Sequence, residues 1–171
     1  TTGIQNVAVG DQALGAEDTG QGAVAVGYQA LASQNADGSY HNVAVGFQSG
    51  VSITTGGQNT LLGNKAGYNL TTGSNNVAIG HLALYTEDGN GNNVAIGREA
   101  LEVQNAGADA YNIAIGYRAG HAVTTGIKNT LMGGQAGDAL TIGNYNTALG
   151  FDALSASVDG DYNTAIGYLA L

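Results

Sequence analysis

The sequence predicts an all-β parallel β-solenoid, or β-roll, of ten short coils. Three observations carry that expectation. One five-residue phrase recurs ten times, its spacing never leaves 17 or 19 residues, and each copy alternates side chains with the period of a strand.

The phrase reads NVAVG ending at Gly10, AVAVG at Gly27, NVAVG at Gly46, NTLLG at Gly63 and NVAIG at Gly80. It continues as NVAIG at Gly97, NIAIG at Gly116, NTLMG at Gly133, NTALG at Gly150 and NTAIG at Gly167. The spacings are 17, 19, 17, 17, 17, 19, 17, 17 and 17. Four coils therefore make a 70-residue super-repeat in which Gly10, Gly80 and Gly150 are equivalent. We read residues 1–171 as one repeat domain. The opening Thr1-Thr2-Gly3-Ile4 carries neither a start Met nor a signal peptide, so the chain reads as a stretch of a longer polypeptide.

Within the phrase, a large aliphatic stands one residue before every glycine: Val9, Val26, Val45, Leu62, Ile79, Ile96, Ile115, Met132, Leu149 and Ile166. Val, Ile or Thr stands three before it. Strand side chains alternate between faces, so these two columns share one face, which we expect to be the core face. The residue between them points the opposite way. It is Ala8, Ala25, Ala44, Leu61, Ala78, Ala95, Ala114, Leu131, Ala148 or Ala165. A strand apolar on both faces is covered on both. This second column is therefore the expected subunit interface of a homo-oligomer whose axis runs along the solenoid.

After each glycine the coils divide into two kinds. Six place Leu four residues on, namely Leu14, Leu31, Leu84, Leu101, Leu154 and Leu171. The other four have Gly there and an aliphatic three residues later, Ile53, Leu70, Val123 or Leu140. One core, filled in two ways, is the expected result. Asn stands four before the glycine in nine coils, at Asn6, Asn42, Asn59, Asn76, Asn93, Asn112, Asn129, Asn146 and Asn163. Coils stacked about 4.8 Å apart would align these amides into a structural ladder.

Composition agrees with a folded, non-enzymatic repeat. The chain has 29 Gly in 171 residues, no Pro, no Cys, and a hydrophobic share of 43%. That is enough apolar surface to offset ordering entropy. Its formal charge is −9 and its only cations are Lys65, Arg98, Arg118 and Lys128. A nucleic-acid partner needs a basic stripe, which is missing, and no apolar run approaches the ~20 residues of a membrane span.

Catalytic, cofactor and metal residues are expected to be none. His41, His81 and His121 fall in different columns and read as turn or surface residues. The acids Glu17, Asp18, Asp37, Glu87, Asp88, Asp159 and Asp161 gather near one corner and read as solvated turn residues. The strict calcium nonapeptide is missing. An acyltransferase β-helix repeats its hexapeptide three times per coil, whereas here it occurs once. An ice-binding threonine array would need Thr in the same columns on nearly every coil, and the Thr-Thr-Gly pairs span only part of the chain. Rings follow the repeat glycine at Tyr28, Phe47, Tyr117, Phe151 and Tyr168, where a host glycan or protein could be touched. Packing is the plainer reading for these and for Tyr40, Tyr111, Tyr145 and Tyr162.

The phrase N-[VT]-A-[VI]-G followed by two variable residues and Ala resembles the head repeats of trimeric autotransporter adhesins, the YadA-like heads. The run NTLLGNKAGYNLTTGSNN at 59–76 is more similar still to the 17-residue repeats of phage tail-fibre proteins. The resemblance covers all ten coils. It implies a left-handed roll, three chains packed side by side, and an extracellular place on a virion tail fibre, with the bacterial outer surface as the alternative. The expected function is a structural and adhesive rod.

Overall fold

The computed structural model describes residues 3–16, 19–35 and 38–171. Ten three-residue strands follow one another: β1 (Val7–Val9), β2 (Val24–Val26), β3 (Val43–Val45), β4 (Thr60–Leu62) and β5 (Val77–Ile79), then β6 (Val94–Ile96), β7 (Ile113–Ile115), β8 (Thr130–Met132), β9 (Thr147–Leu149) and β10 (Thr164–Ile166). They form one parallel sheet in sequential order. Like columns pair with like, so Ala44 lies opposite Leu61 and Leu61 opposite Ala78. No helix occurs among the described residues. The fold is a parallel β-solenoid of tandem repeats.

Each coil turns at fixed places. Positions five before, two after and four after the repeat glycine all lie in the left-handed region, as at Gln58 (φ 60°), Lys65 (φ 56°) and Gly67 (φ 58°). A side chain there costs about 1–2 kcal/mol. Bonds between coils offset it: Gln29 donates to Gln12 at 2.6 Å and Gln48 to Gln29 at 2.8 Å. The repeat glycine has a different reason. Gly63 sits at φ 140°, and a Cβ on it would lie 2.6 Å from the carbonyl oxygen of Gly80 in the next coil. Any side chain would force the coils apart at this wall.

The strand faces are the reverse of the sequence expectation. Ala25, Ala44, Leu61, Ala78, Ala95, Ala114, Leu131 and Ala148 are all 0% exposed, Ala165 is 2% exposed, and all nine belong to the chain's own core. They do not form a subunit surface. Ala8, in the first coil, is exposed. The columns expected inside, from Val9 to Ile166, point outward. The physical reason is room: each coil is a thin loop already holding the small residues Ala66, Ala83 or Ala100 and one large aliphatic. Only a methyl group, or a leucine with compensation, fits beside them.

That compensation is visible. Cβ atoms on Gly50 and Gly67 would come within 2.7 and 2.9 Å of the Leu61 side chain, and those on Gly120 and Gly137 within 2.8 and 2.9 Å of Leu131. Leucine appears on the inner strand face only in the coils of Gly67 and Gly137, while the coils of Gly50 and Gly120 keep Ala44 and Ala114 and yield their space to the leucine of the next coil. In the remaining coils Leu31, Leu84, Leu101 or Leu154 supplies the volume from that wall, against an inner-face alanine. Ile53, Leu70, Val123 and Leu140 complete the glycine-type coils, all fully buried. Close packing of this kind leaves no freedom to exchange the two faces.

Candidate functional site

The outer face of the sheet is the feature with the most unspent binding potential. Val9, Leu62, Leu149 and Ile166 are 57, 45, 47 and 65% exposed, and Val7, Val43, Ile113 and Met132 are exposed beside them. Val24, Val26, Val45, Ile79, Ile96 and Ile115 are half-buried in the same two columns. No charged residue interrupts either column. Parallel pairing aligns them coil after coil, making a wall that is apolar throughout the column from Val9 to Ile166 and carries Thr60, Thr130, Thr147 and Thr164 in the column beside it. A large exposed apolar surface of this kind marks a contact with another molecule.

The asparagine column lies beside this wall, one residue before each strand, and its chemistry is internal. The Asn59 Oδ1 accepts the backbone N–H of Asn76 at 2.9 Å, and its Nδ2 donates to the Gly73 carbonyl at 2.9 Å. The same pattern passes through Asn42, Asn76, Asn93, Asn112, Asn129, Asn146 and Asn163. Asn6 instead accepts from Ala23, the residue standing where the second coil lacks Asn. The dominant link is amide oxygen to next-coil backbone. Direct amide-to-amide bonds occur as well, as between Asn146 and Asn129 at 3.1 Å. These side chains satisfy buried backbone, with only the buried Asn93 Nδ2 left without a partner among the described residues of the column.

A second polar column lies seven residues after the glycine in the Leu-type coils. Gln34, Glu87 and Gln104 are fully buried, at the position that carries Ile53 or Leu70 in the other coil type. Asn42 donates to Gln34 at 2.9 Å and Asn112 to Gln104 at 3.1 Å, while Gln104 donates to Asn93 at 3.3 Å. Glu87 is therefore no solvated turn acid. Its Oε1 accepts from the Asn90 side chain at 2.7 Å, its Oε2 has no partner, and burial above all raises its pKa from the ordinary 4.5. Asp88, Asp159 and Asp161 are exposed, and Asp161 accepts the backbone N–H of Asn144 at 2.6 Å. Glu17, Asp18 and Asp37 lie outside the described residues.

The five rings after the repeat glycine are all exposed, and four stack between neighbouring coils. Tyr28 and Phe47 have centroids 5.2 Å apart, Phe151 and Tyr168 6.0 Å, and Arg98 lies 5.3 Å over Tyr117. Among the histidines, His41 and His81 are exposed. His121 belongs to a group with Glu99 and Glu102 whose ligand atoms lie within 4.8 Å of one another. That group is closed by its own cations. Arg98 Nε donates to Glu99 at 2.8 Å, Arg118 Nη2 faces His121 Nδ1 at 3.2 Å, and His121 Nε2 reaches Glu102 at 3.0 Å. Both ring nitrogens of His121 are thus engaged.

The first threonine hydroxyl of each Thr-Thr-Gly turn is likewise engaged. Thr54 and Thr71 donate to the Thr71 and Asp88 carbonyls of the following coils at 3.3 and 2.8 Å. What remains is the apolar wall. Comparison with described protein families, curated proteins and solved structures finds no match for this chain.

Proposed function

We propose that this chain is a structural, adhesive rod, a stretch of a trimeric phage tail fibre whose subunits pack side by side through the outer strand face. One observation carries the reading: the wall from Val9 to Ile166 is apolar, uncharged and uncovered. The occupant that fits it best is a second copy of the same chain. An identical repeat brings apolar columns with the same spacing of about 4.8 Å per coil, so ridges from one chain meet those of the next along the whole rod. The formal charge of −9 does not oppose this contact, because both wall columns are free of acids.

The oligomer expectation thus passes to a different face: Val, Ile, Leu and Met mediate it, and the Ala/Leu column is core. A copy number of three, left-handed coiling and the tail-fibre placement rest on the resemblance of the repeat phrase. A YadA-like adhesin head is the alternative assignment, and ice binding is disfavoured because the Thr-Thr-Gly pairs span only part of the chain. Ten coils would give a reach of roughly 48 Å. Light scattering coupled to gel filtration tests the reading. A mass of three times 17.0 kDa is expected, whereas a stable single-chain mass overturns it.

A further inference from the structure

One corner of the solenoid carries a recess that the coil plan does not require. It is a solvent-open recess of about 330 Å³ lined by Ser39, Tyr40, Thr55, Gly57, Gln58, Ser74 and Asn75. Its origin is a missing side chain. Six residues before the repeat glycine, successive coils carry Tyr40, Gly57 and Ser74, so Gly57 leaves a gap between an aromatic ring and a hydroxyl. The Gly57 N–H donates to Ser74 Oγ at 3.0 Å, which leaves the serine hydroxyl hydrogen to donate. Gln58 and Asn75 are exposed at its edge, both held in the left-handed conformation at φ 60° and 61°.

The super-repeat supplies an internal control. Seventy residues on, Tyr40, Gly57 and Ser74 become Ala110, Ile127 and Asn144, while Gln58 and Asn75 become Lys128 and Tyr145. There Ile127 occupies the gap, and Lys128 Nζ lies 3.2 Å from the Tyr145 hydroxyl and 5.0 Å over its ring. The same backbone corner is thus filled and cationic in one half of the chain, open and neutral in the other.

We propose that the Tyr40–Gly57–Ser74 recess binds a neutral sugar residue of a surface glycan. Its lining combines one aromatic face with hydroxyl and amide groups and holds no charge. A pyranose presents the complement, an apolar face of C–H bonds edged by hydroxyls that both donate and accept. An anionic ligand would find no cation there and a chain of charge −9 around it. A purely apolar ligand would leave the amides unpaired. The volume lies at the lower end of small-ligand sites, fitting a single residue or a short oligosaccharide. The proposal rests on the rod reading only in that a displayed rod meets glycans; the recess itself lies within one chain.

The test uses the protein as it assembles. Immobilised neutral oligosaccharides, with sialylated ones alongside, are screened, and the best neutral binder is titrated by calorimetry. The double variant Tyr40→Ala/Gly57→Ile copies the Ala110/Ile127 pair already tolerated by the fold, so it closes the recess while keeping the mass and circular dichroism of the parent. The expected result is a loss of affinity of about tenfold or more in that variant, with Tyr162→Ala unchanged. Failure to bind any neutral glycan, preference for sialylated ones, or binding unmoved by the double variant each overturns the proposal. The mass measurement decides the rod reading separately.

Discussion

In β4, Leu61 points into the coil and is fully buried, whereas Leu62, its neighbour on the same strand, is 45% exposed. Both are leucines in one three-residue element, and by hydropathy they are interchangeable. What separates them is the space each meets. Leu61 fills a gap bounded by Gly50, Gly67 and Ile53, and Leu62 joins a wall that only another molecule can cover. Apolarity says that a face is covered; packing volume decides by what.

Truncating the inner residue is the strongest way to break this comparison. Leu61→Ala should cost about 2–5 kcal/mol, read as a fall in the denaturant midpoint, because the two facing glycines cannot collapse into the cavity. Adding Gly67→Leu should recover part of it, since Leu84 already holds the equivalent left-handed position at φ 51°. If Leu61→Ala proves neutral, the two-way filling of the core is wrong.

Next comes the ladder between the faces. Asn59→Ala strips the buried Asn76 N–H and the Gly73 carbonyl of their partners. A loss of about 1–3 kcal/mol is expected, with hydrogen exchange accelerating first at Asn76.

Glu87→Gln should act more gently and in the opposite direction. Burial holds the Glu87 carboxyl above its ordinary 4.5, so the folded chain binds that proton more tightly than the unfolded chain does. Its contribution to stability is complete below about pH 4.5 and is lost as pH rises through the raised value. Glutamine, already present in this column at Gln34 and Gln104, should stabilise the chain by about 1 kcal/mol at pH 7. It should also flatten that part of the pH dependence. A wild-type midpoint that climbs between pH 4.5 and 7 in step with Glu87 ionisation would contradict the assignment.

The smallest effect on the single chain, and the largest on assembly, belongs to the outer face. Leu62→Asp should change the stability of an isolated coil by less than about 1 kcal/mol, as exposed positions usually do. It should nonetheless lower the mass seen by light scattering. An unchanged mass would remove the wall from the interface.

Much of this was legible in the residues. Ten phrases at spacings of 17 and 19 give ten strands, and period-two alternation identifies which side chains share a face. The choice of face was not legible from alternation, because Ala and Val are both apolar. A signal did exist: Leu61 and Leu131 occur only in coils whose later wall position is glycine, Gly67 and Gly137. Residues that trade volume share a cavity. The burial of Gln34, Glu87 and Gln104 was hidden for a related reason, since a polar side chain near a corner reads as solvated until its amide partners are in view.

The sequence by itself determined the parallel solenoid, the number of strands, the asparagine column and the two coil types, because each is a periodic property carried by local chemistry. Tertiary structure alone decided which apolar face is core, which polar residues are buried, and that one corner opens into a recess while its equivalent 70 residues on is filled. Those outcomes depend on how much room neighbouring coils leave one another, a volume set between coils and written in no single one of them.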